Sequence, residues 1–176
     1  MPNKLSVAES RVLEFIQGAA FDVPGVLPTA RGLSHWGEHA LGWMGSAAVG
    51  AGIDKRRREG WVRVGAAAFL AHAASVVLKR IVRRKRPDYP YVRVGVKTPS
   101  TLSFPSSHAT STTAFLVAVS RLTGRKAPLL GVPVMMASRM VLGVHYPTDT
   151  AVGAAIGAAT AAVSYTHLTL PTKRIV

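Results

Sequence analysis

The chain has 176 residues, 48% of them hydrophobic, and a formal charge of +14. That pairing suits one membrane domain with basic loops better than a soluble globule, and it favours an anionic partner such as a lipid headgroup, a phosphate or a nucleic acid. With no cysteine, disulfides and thiolate chemistry are excluded, and eight carboxylates scattered singly from Glu9 to Asp149 form no oxygen cage for Mg2+ or Ca2+.

No basic stretch followed by a short apolar run and a small-residue site opens the chain, so no cleavable signal peptide is expected. Residues 5–20 carry apolar side chains at helical spacing with Glu9, Arg11 and Glu14 between them. The pattern predicts an amphipathic helix, either lying at a membrane surface or packed on a helical bundle. Asp22, Pro24 and Pro28 break it, and residues 1–35 read as an N-terminal interfacial segment.

Five apolar stretches follow, roughly 36–53, 61–78, 103–120, 127–142 and 147–163. Each is near or slightly below the ~20 residues that cross a bilayer core. They predict an all-α, integral-membrane bundle of about five transmembrane helices over residues 36–163, in a cell membrane. Ala, Gly and Ser dominate these stretches, as suits close helix packing in lipid. Gly153 and Gly157 form a GxxxG spacing that serves helix contact within the chain or between copies of it. Basic runs separate the stretches, and both membrane faces come out basic, so orientation does not follow from charge. Residues 164–176 are threonine-rich and aperiodic and read as a disordered or non-native tail.

Three segments carry chemistry: 79–87 (KRIVRRKRP), 104–108 (FPSSH) and 138–149 (SRMVLGVHYPTD). Lys79 and Arg86 lie two helical turns apart and share a face if their segment is helical. Ser106, Ser107 and His108 open the third apolar stretch, where free backbone N–H groups at a helix start receive an anion. Pro147 suits a first helical turn. Asp149, four residues beyond His145, is placed to accept that ring's N–H and leave the other nitrogen free to attack. In a five-span topology all three segments, Arg139 included, fall at the same end of the bundle.

The joint spacing resembles the type 2 phosphatidic acid phosphatase and vanadium haloperoxidase superfamily, whose pattern is K-x6-R-P, then P-S-G-H, then S-R-x5-H-x3-D. One position departs: Ser107 stands where glycine is usual. The resemblance implies that Lys79, Arg86 and Arg139 bind phosphoryl oxygens, with Ser106 and the backbone near Ser107 adding hydrogen bonds. It implies that His145 is the nucleophile of a phosphohistidine intermediate, Asp149 orients it, and His108 handles the proton. No metal or other cofactor is expected. Narrower likeness in residues 34–39, 71–80 and 98–111 is to small actinobacterial members associated with decaprenylphosphoryl-5-phosphoribose phosphatase activity. It implies a lipid-linked phosphate as substrate and membrane lipids as surroundings, with no nucleic-acid partner.

Competing readings attach to several residues. A polyprenyl diphosphate or phosphatidylglycerophosphate suits the same phosphate motifs. A vanadate-dependent haloperoxidase fits less well with a small apolar chain. A basic, anionic-lipid-binding protein without activity leaves His108, His145 and Asp149 unexplained. His35, Glu38 and His39 fit H-x-x-E-H, a zinc-peptidase pattern, yet no third ligand is indicated, and a substrate-facing polar patch or an interfacial helix start is preferred. His72 reads as a packing histidine. Arg80, Arg83, Arg84 and Lys85 read as a solvated or headgroup-facing charge run.

Overall fold

A computed structural model describes residues 4–167. Among them lie seven α-helices: α1 (Lys4–Ala20), α2 (Val26–Gly37), α3 (Leu41–Ile53), α4 (Arg58–Val82), α5 (Ser107–Thr123), α6 (Gly131–Val141) and α7 (Pro147–His167). No strand forms among the described residues; an isolated bridge pairs Lys85 with Leu102. The all-α bundle expected from periodicity is what the chain forms.

Helix α5 stands at the centre, against α4, α6 and α7, and α3 lies on α4. Ser106 caps its start by accepting the Ala109 N–H at 3.4 Å, and Gly124 ends it in the left-handed region at φ 70°. The GxxxG glycines act inside the chain. A Cβ on Gly153 would meet the Ser106 carbonyl oxygen at 2.8 Å, and one on Gly157 would collide with that of Thr110. Helix α7 therefore approaches α5 closely because those side chains are absent.

Burial runs opposite to that of a water-soluble domain. Helix α1 turns Glu9, Ser10 and Gln17 inward and leaves Phe15 79% exposed. Helix α3 buries Ala47 alone while Leu41, Val49 and Ile53 face outward, and Phe69, Val77 and Ile81 do so on α4. Large exposed apolar faces around a polar, small-residue interior suit a hydrocarbon surround. By length and composition one run, Lys55–Val82, is long and apolar enough to cross a membrane; Ala127–Val141 is apolar but shorter. Helices α1, α2, α3, α5 and α6, at 11 to 17 residues, fall short of the ~20 residues that cross a bilayer core.

Four expectations need correction. Pro28, read as breaking the helical pattern within the segment 1–35, instead sits in the first turn of α2, where a missing N–H costs nothing. The first apolar stretch is not one helix: α2 ends at Gly37, a 3-10 turn covers Glu38–Ala40, and α3 starts at Leu41. His35 and His39 thus do not share a helical face. Helix α4 ends at Val82, with Arg83 left-handed at φ 55°, so Arg86 lies beyond the helix that carries Lys79. Helix α7 runs on to His167, so residues 164–167 belong to it; residues 168–176 of the predicted tail lie outside the described residues.

Candidate active site

The end of α4, the start of α5, the end of α6 and the start of α7 meet at one end of the bundle, around a cavity of about 320 Å³. Lys79, Arg86 and Arg139 all line it, together with Ser107, His108 and His145. Lys79 points into the 102–105 loop, where its Nζ donates to the carbonyls of Leu102 (3.2 Å), Ser103 (3.3 Å) and Pro105 (3.0 Å). Arg86 arrives from an extended segment pinned by the Arg86 N–H to Thr101 carbonyl bond at 3.1 Å. Its side chain donates to the carbonyls of Ser100 (2.8 Å) and Val144 (2.6 Å). Burial lowers its pKa to about 10, which leaves it charged at neutral pH.

Arg139 differs from the other two. It is 1% exposed, and its Nε and Nη1 are buried without a hydrogen-bond partner. An unbonded, buried guanidinium is costly, and a bound oxyanion supplies the acceptors it lacks. The start of α5 adds free backbone N–H groups to the same cavity. Ser107 is the first residue of that helix and is not among the positive-φ residues, so the glycine usual at this position is not needed for the turn. Ser106 is fully buried as the N-cap, behind the cavity wall, and its N–H donates to the Asp149 carbonyl at 3.0 Å.

Neighbours set the tautomers of both histidines. Arg86 Nη1 lies 3.1 Å from His145 Nε2, and a guanidinium only donates. Nε2 therefore holds the lone pair and Nδ1 the proton. Burial, with Arg86, Arg139 and Lys79 nearby, pushes the His145 pKa well below its ordinary value. His108 Nε2 lies 2.9 Å from the Ser34 carbonyl, which only accepts, so Nε2 carries a proton and Nδ1 is left to exchange one.

Asp149 is not hydrogen-bonded to His145 as expected. Its Oδ2 stands 3.7 Å from Nδ1, too long for a hydrogen bond. Oδ2 instead accepts the Tyr146 N–H at 2.9 Å, in the manner of a capping-box residue in the first turn of α7. Oδ1 accepts from Arg84 Nη1 at 2.8 Å. Catalytic hydrogen bonds often tighten only with substrate present.

Arg84, expected in a solvated charge run, is a side chain that the sequence reading missed. Its other amino group bonds Glu9 of α1 at 2.5 Å, and its guanidinium lies 3.9 Å from the Tyr146 ring centroid. Glu9 also accepts the Thr148 N–H at 2.8 Å. Burial opposes ionisation of Glu9, but the hydrogen bonds from Arg84 and Thr148 outweigh it and hold its pKa below the usual carboxylate value. The signal in sequence was the buried-side position of Glu9 on an amphipathic helix; its partner 75 residues away was not readable.

The opposite cavity wall comes from α2, the turn after it and α4. His35, Glu38, His39 and His72 line it. His72, expected to be packing, has its ring 5.8 Å from that of His39. His39 (φ 50°) and Ala40 (φ 59°) are consecutive left-handed residues, a conformation costing about 1–3 kcal/mol each for non-glycine residues. Among the described residues no group of three or more His, Asp or Glu is placed to hold a metal ion.

Residues 60–171 match the model of the PAP2 superfamily. The chain is 52% identical over 163 residues to the decaprenylphosphoryl-5-phosphoribose phosphatase of Mycobacterium tuberculosis, covering 93% of this chain and 92% of that protein. It is 57% identical over 145 residues to the protein of the same name from Mycolicibacterium smegmatis, covering 82% and 81%. Among solved structures, Aquifex aeolicus LpxE superposes with a TM-score of 0.73 at 20% identity, over 89% of this chain and 93% of that one. A transmembrane PAP2 type phosphatidylglycerolphosphate phosphatase from Bacillus subtilis gives 0.68 at 20% identity, over 94% and 90%.

Proposed function

This chain belongs to the PAP2 superfamily, and on that premise we propose that it removes the 5-phosphate of decaprenylphosphoryl-5-phosphoribose in a cell membrane that it crosses several times. The observation that carries the reading is the set of three cations, Lys79, Arg86 and Arg139, that line one cavity with His145, the buried Arg139 offering unbonded N–H groups. A phosphomonoester seated there takes Arg86 from the ring and frees the lone pair. Nε2 then attacks phosphorus, the bond to the ribose oxygen breaks, and that oxygen receives the proton that His108 Nδ1 has taken from the entering phosphomonoester monoanion. The P–N adduct leaves a positive ring whose Nδ1–H faces Asp149. His108 next takes a proton from water, the water oxygen attacks phosphorus, and inorganic phosphate departs as His145 returns to neutral. Positioning and fixed positive charge do the work, so no metal is required in this scheme.

Two exposed cations, Arg80 and Lys97, line the mouth of the same cavity. They support a substrate with a second anionic group outside the reacting one, as a prenyl phosphodiester has. Purified protein in detergent with EDTA, offered the phosphoribosyl lipid, a polyprenyl diphosphate and phosphatidylglycerophosphate, is expected to release phosphate fastest from the first. Faster release from either competitor, or dependence on added Mg2+ or Zn2+, would overturn the substrate or the mechanism respectively.

A further inference from the structure

An anion pocket has no use for a carboxylate aimed at the phosphate. Yet Glu38 lines this cavity, and among the described lining residues it is the one acidic side chain. It is half-buried, and no hydrogen bond or ion pair ties its carboxylate to another described residue. Beside it stand His39, across the edge-to-face contact from His72, and His72 Nδ1 is buried without a partner. A carboxyl oxygen accepts a hydrogen bond and an imidazole ring can accept or donate one, the complement of sugar hydroxyls rather than of phosphate oxygens.

Placement supports the same ligand. His72, Val76 and Lys79 follow one face of α4 at i, i+4 and i+7, all lining the cavity. Two turns of helix put His72 roughly 10 Å along the axis from the phosphate-facing lysine, about the length of a phosphorylated sugar. The turn that presents Glu38 is held against the reacting groups. A Cβ on Gly37 would touch His108 Cδ2 at 2.8 Å, and His108 donates to Ser34 one turn earlier on α2. The left-handed backbone at His39 and Ala40 breaks the helix here and sets Glu38 and His39 at the cavity instead of continuing α2. Strain of this kind persists where surrounding structure imposes it, and it clusters at ligand clamps.

We infer that Glu38, with His39 and His72, forms a subsite for a vicinal diol, which recognises the 2- and 3-hydroxyls of a ribosyl phosphate and so selects a sugar phosphate over a phosphate on an acyclic lipid. The inference rests on the function proposed above. Its test compares two esters, a short-chain polyprenylphosphoryl 5-phosphoribose and its 2,3-dideoxy counterpart, on wild type, Glu38→Gln and His72→Phe. Because each protein is its own standard, loss of folded enzyme cancels in the ratio of the two kcat/KM values. Loss of hydrogen bonds to a charged acceptor is expected to make wild type prefer the hydroxylated ester by about 10–10²-fold. Glu38→Gln should bring the ratio most of the way to one, and His72→Phe should lower it by a smaller factor. A ratio that stays at the wild-type value in both variants overturns the subsite and leaves the phosphatase reading intact. A wild-type ratio of one does the same. Failure of wild type to hydrolyse the ribosyl ester, while it hydrolyses other lipid phosphates, overturns both.

Discussion

The two ends of this bundle are held together by different physics. Away from the cavity, Ala47, Val64, Ala67, Ala68, Ala118 and Ala161 surround Phe115, and Trp43 lies against that ring at 4.9 Å between centroids. Close approach of small side chains is the whole of the design there, and any side chain of similar volume serves. At the cavity end, Lys79, Arg84 and Arg86 are each fixed by several directional bonds to loop carbonyls, hydroxyls or carboxylates. Substitutions should therefore separate into two kinds: those that cost stability at the small-residue contacts and those that cost turnover at the polar end.

The widest separation is expected at His145. His145→Ala should abolish turnover together with the acid-labile label that forms after brief mixing with labelled substrate, while the protein still folds. Label on that variant, or on His108 in the unmodified protein, would break the assignment. His108→Ala should retain a measurable rate, lowered by ~10²–10⁴-fold as for lost acid–base help. A nitrophenyl phosphate, whose leaving group needs less protonation, should recover part of the first step.

Arg84 sharpens the comparison because it belongs to the polar end without lining the cavity. Arg84→Ala should lower kcat by about 10–10²-fold, from loss of a hydrogen bond to a charged group. It should also destabilise the protein, since Glu9 and Asp149 lose their shared cation. Glu9→Gln should cost less in rate, because Arg84 still reaches Asp149. Equal rate losses in the two variants would show that α1, rather than the arginine, sets the carboxylate.

Gly157→Val tests the close α5–α7 contact. Its side chain would run into the Thr110 carbonyl and the Ala114 backbone. Overpacking of this order costs about 1–3 kcal/mol, read as a lower Tm in detergent. The KM of the surviving protein should change little.

The smallest effect is in pH. The His145 pKa is depressed by burial and by Arg86, Arg139 and Lys79, so the free ring stays neutral as pH falls through about 6.5, the unperturbed value. Lowering the pH through that value should leave its lone pair intact, and labelled His145 should show the Nδ1–H tautomer down to pH 6. An imidazolium signal appearing near pH 6.5 would contradict the buried, cation-flanked geometry.

Much of this was readable from residue order. Helical spacing over 5–20 matches α1 (Lys4–Ala20), and the last apolar stretch matches α7 up to its proline start. Arg84 was not readable, because nothing local distinguishes it from Arg83 or Lys85 in a basic run. Glu9 on α1 and Asp149 on α7 make the difference, and both are distant in the chain. His72 was hidden likewise: a histidine in an apolar helix looks the same whether it packs or faces a cavity.

By itself the sequence determined the helical class, the small-residue interior and the types of group that line the cavity, because periodicity, composition and motif spacing are local properties. The tertiary structure alone decided how those groups meet. The helix carrying Lys79 stops at Val82 in a left-handed residue, and Arg86 returns to the cavity only because its extended segment bonds to Thr101. The histidine tautomers follow from Arg86 and from Ser34 of α2, a helix that proline-rich sequence concealed. Asp149 takes its place from a helix cap and a distant arginine rather than from its four-residue spacing to His145, because a buried carboxylate goes where the most donors converge.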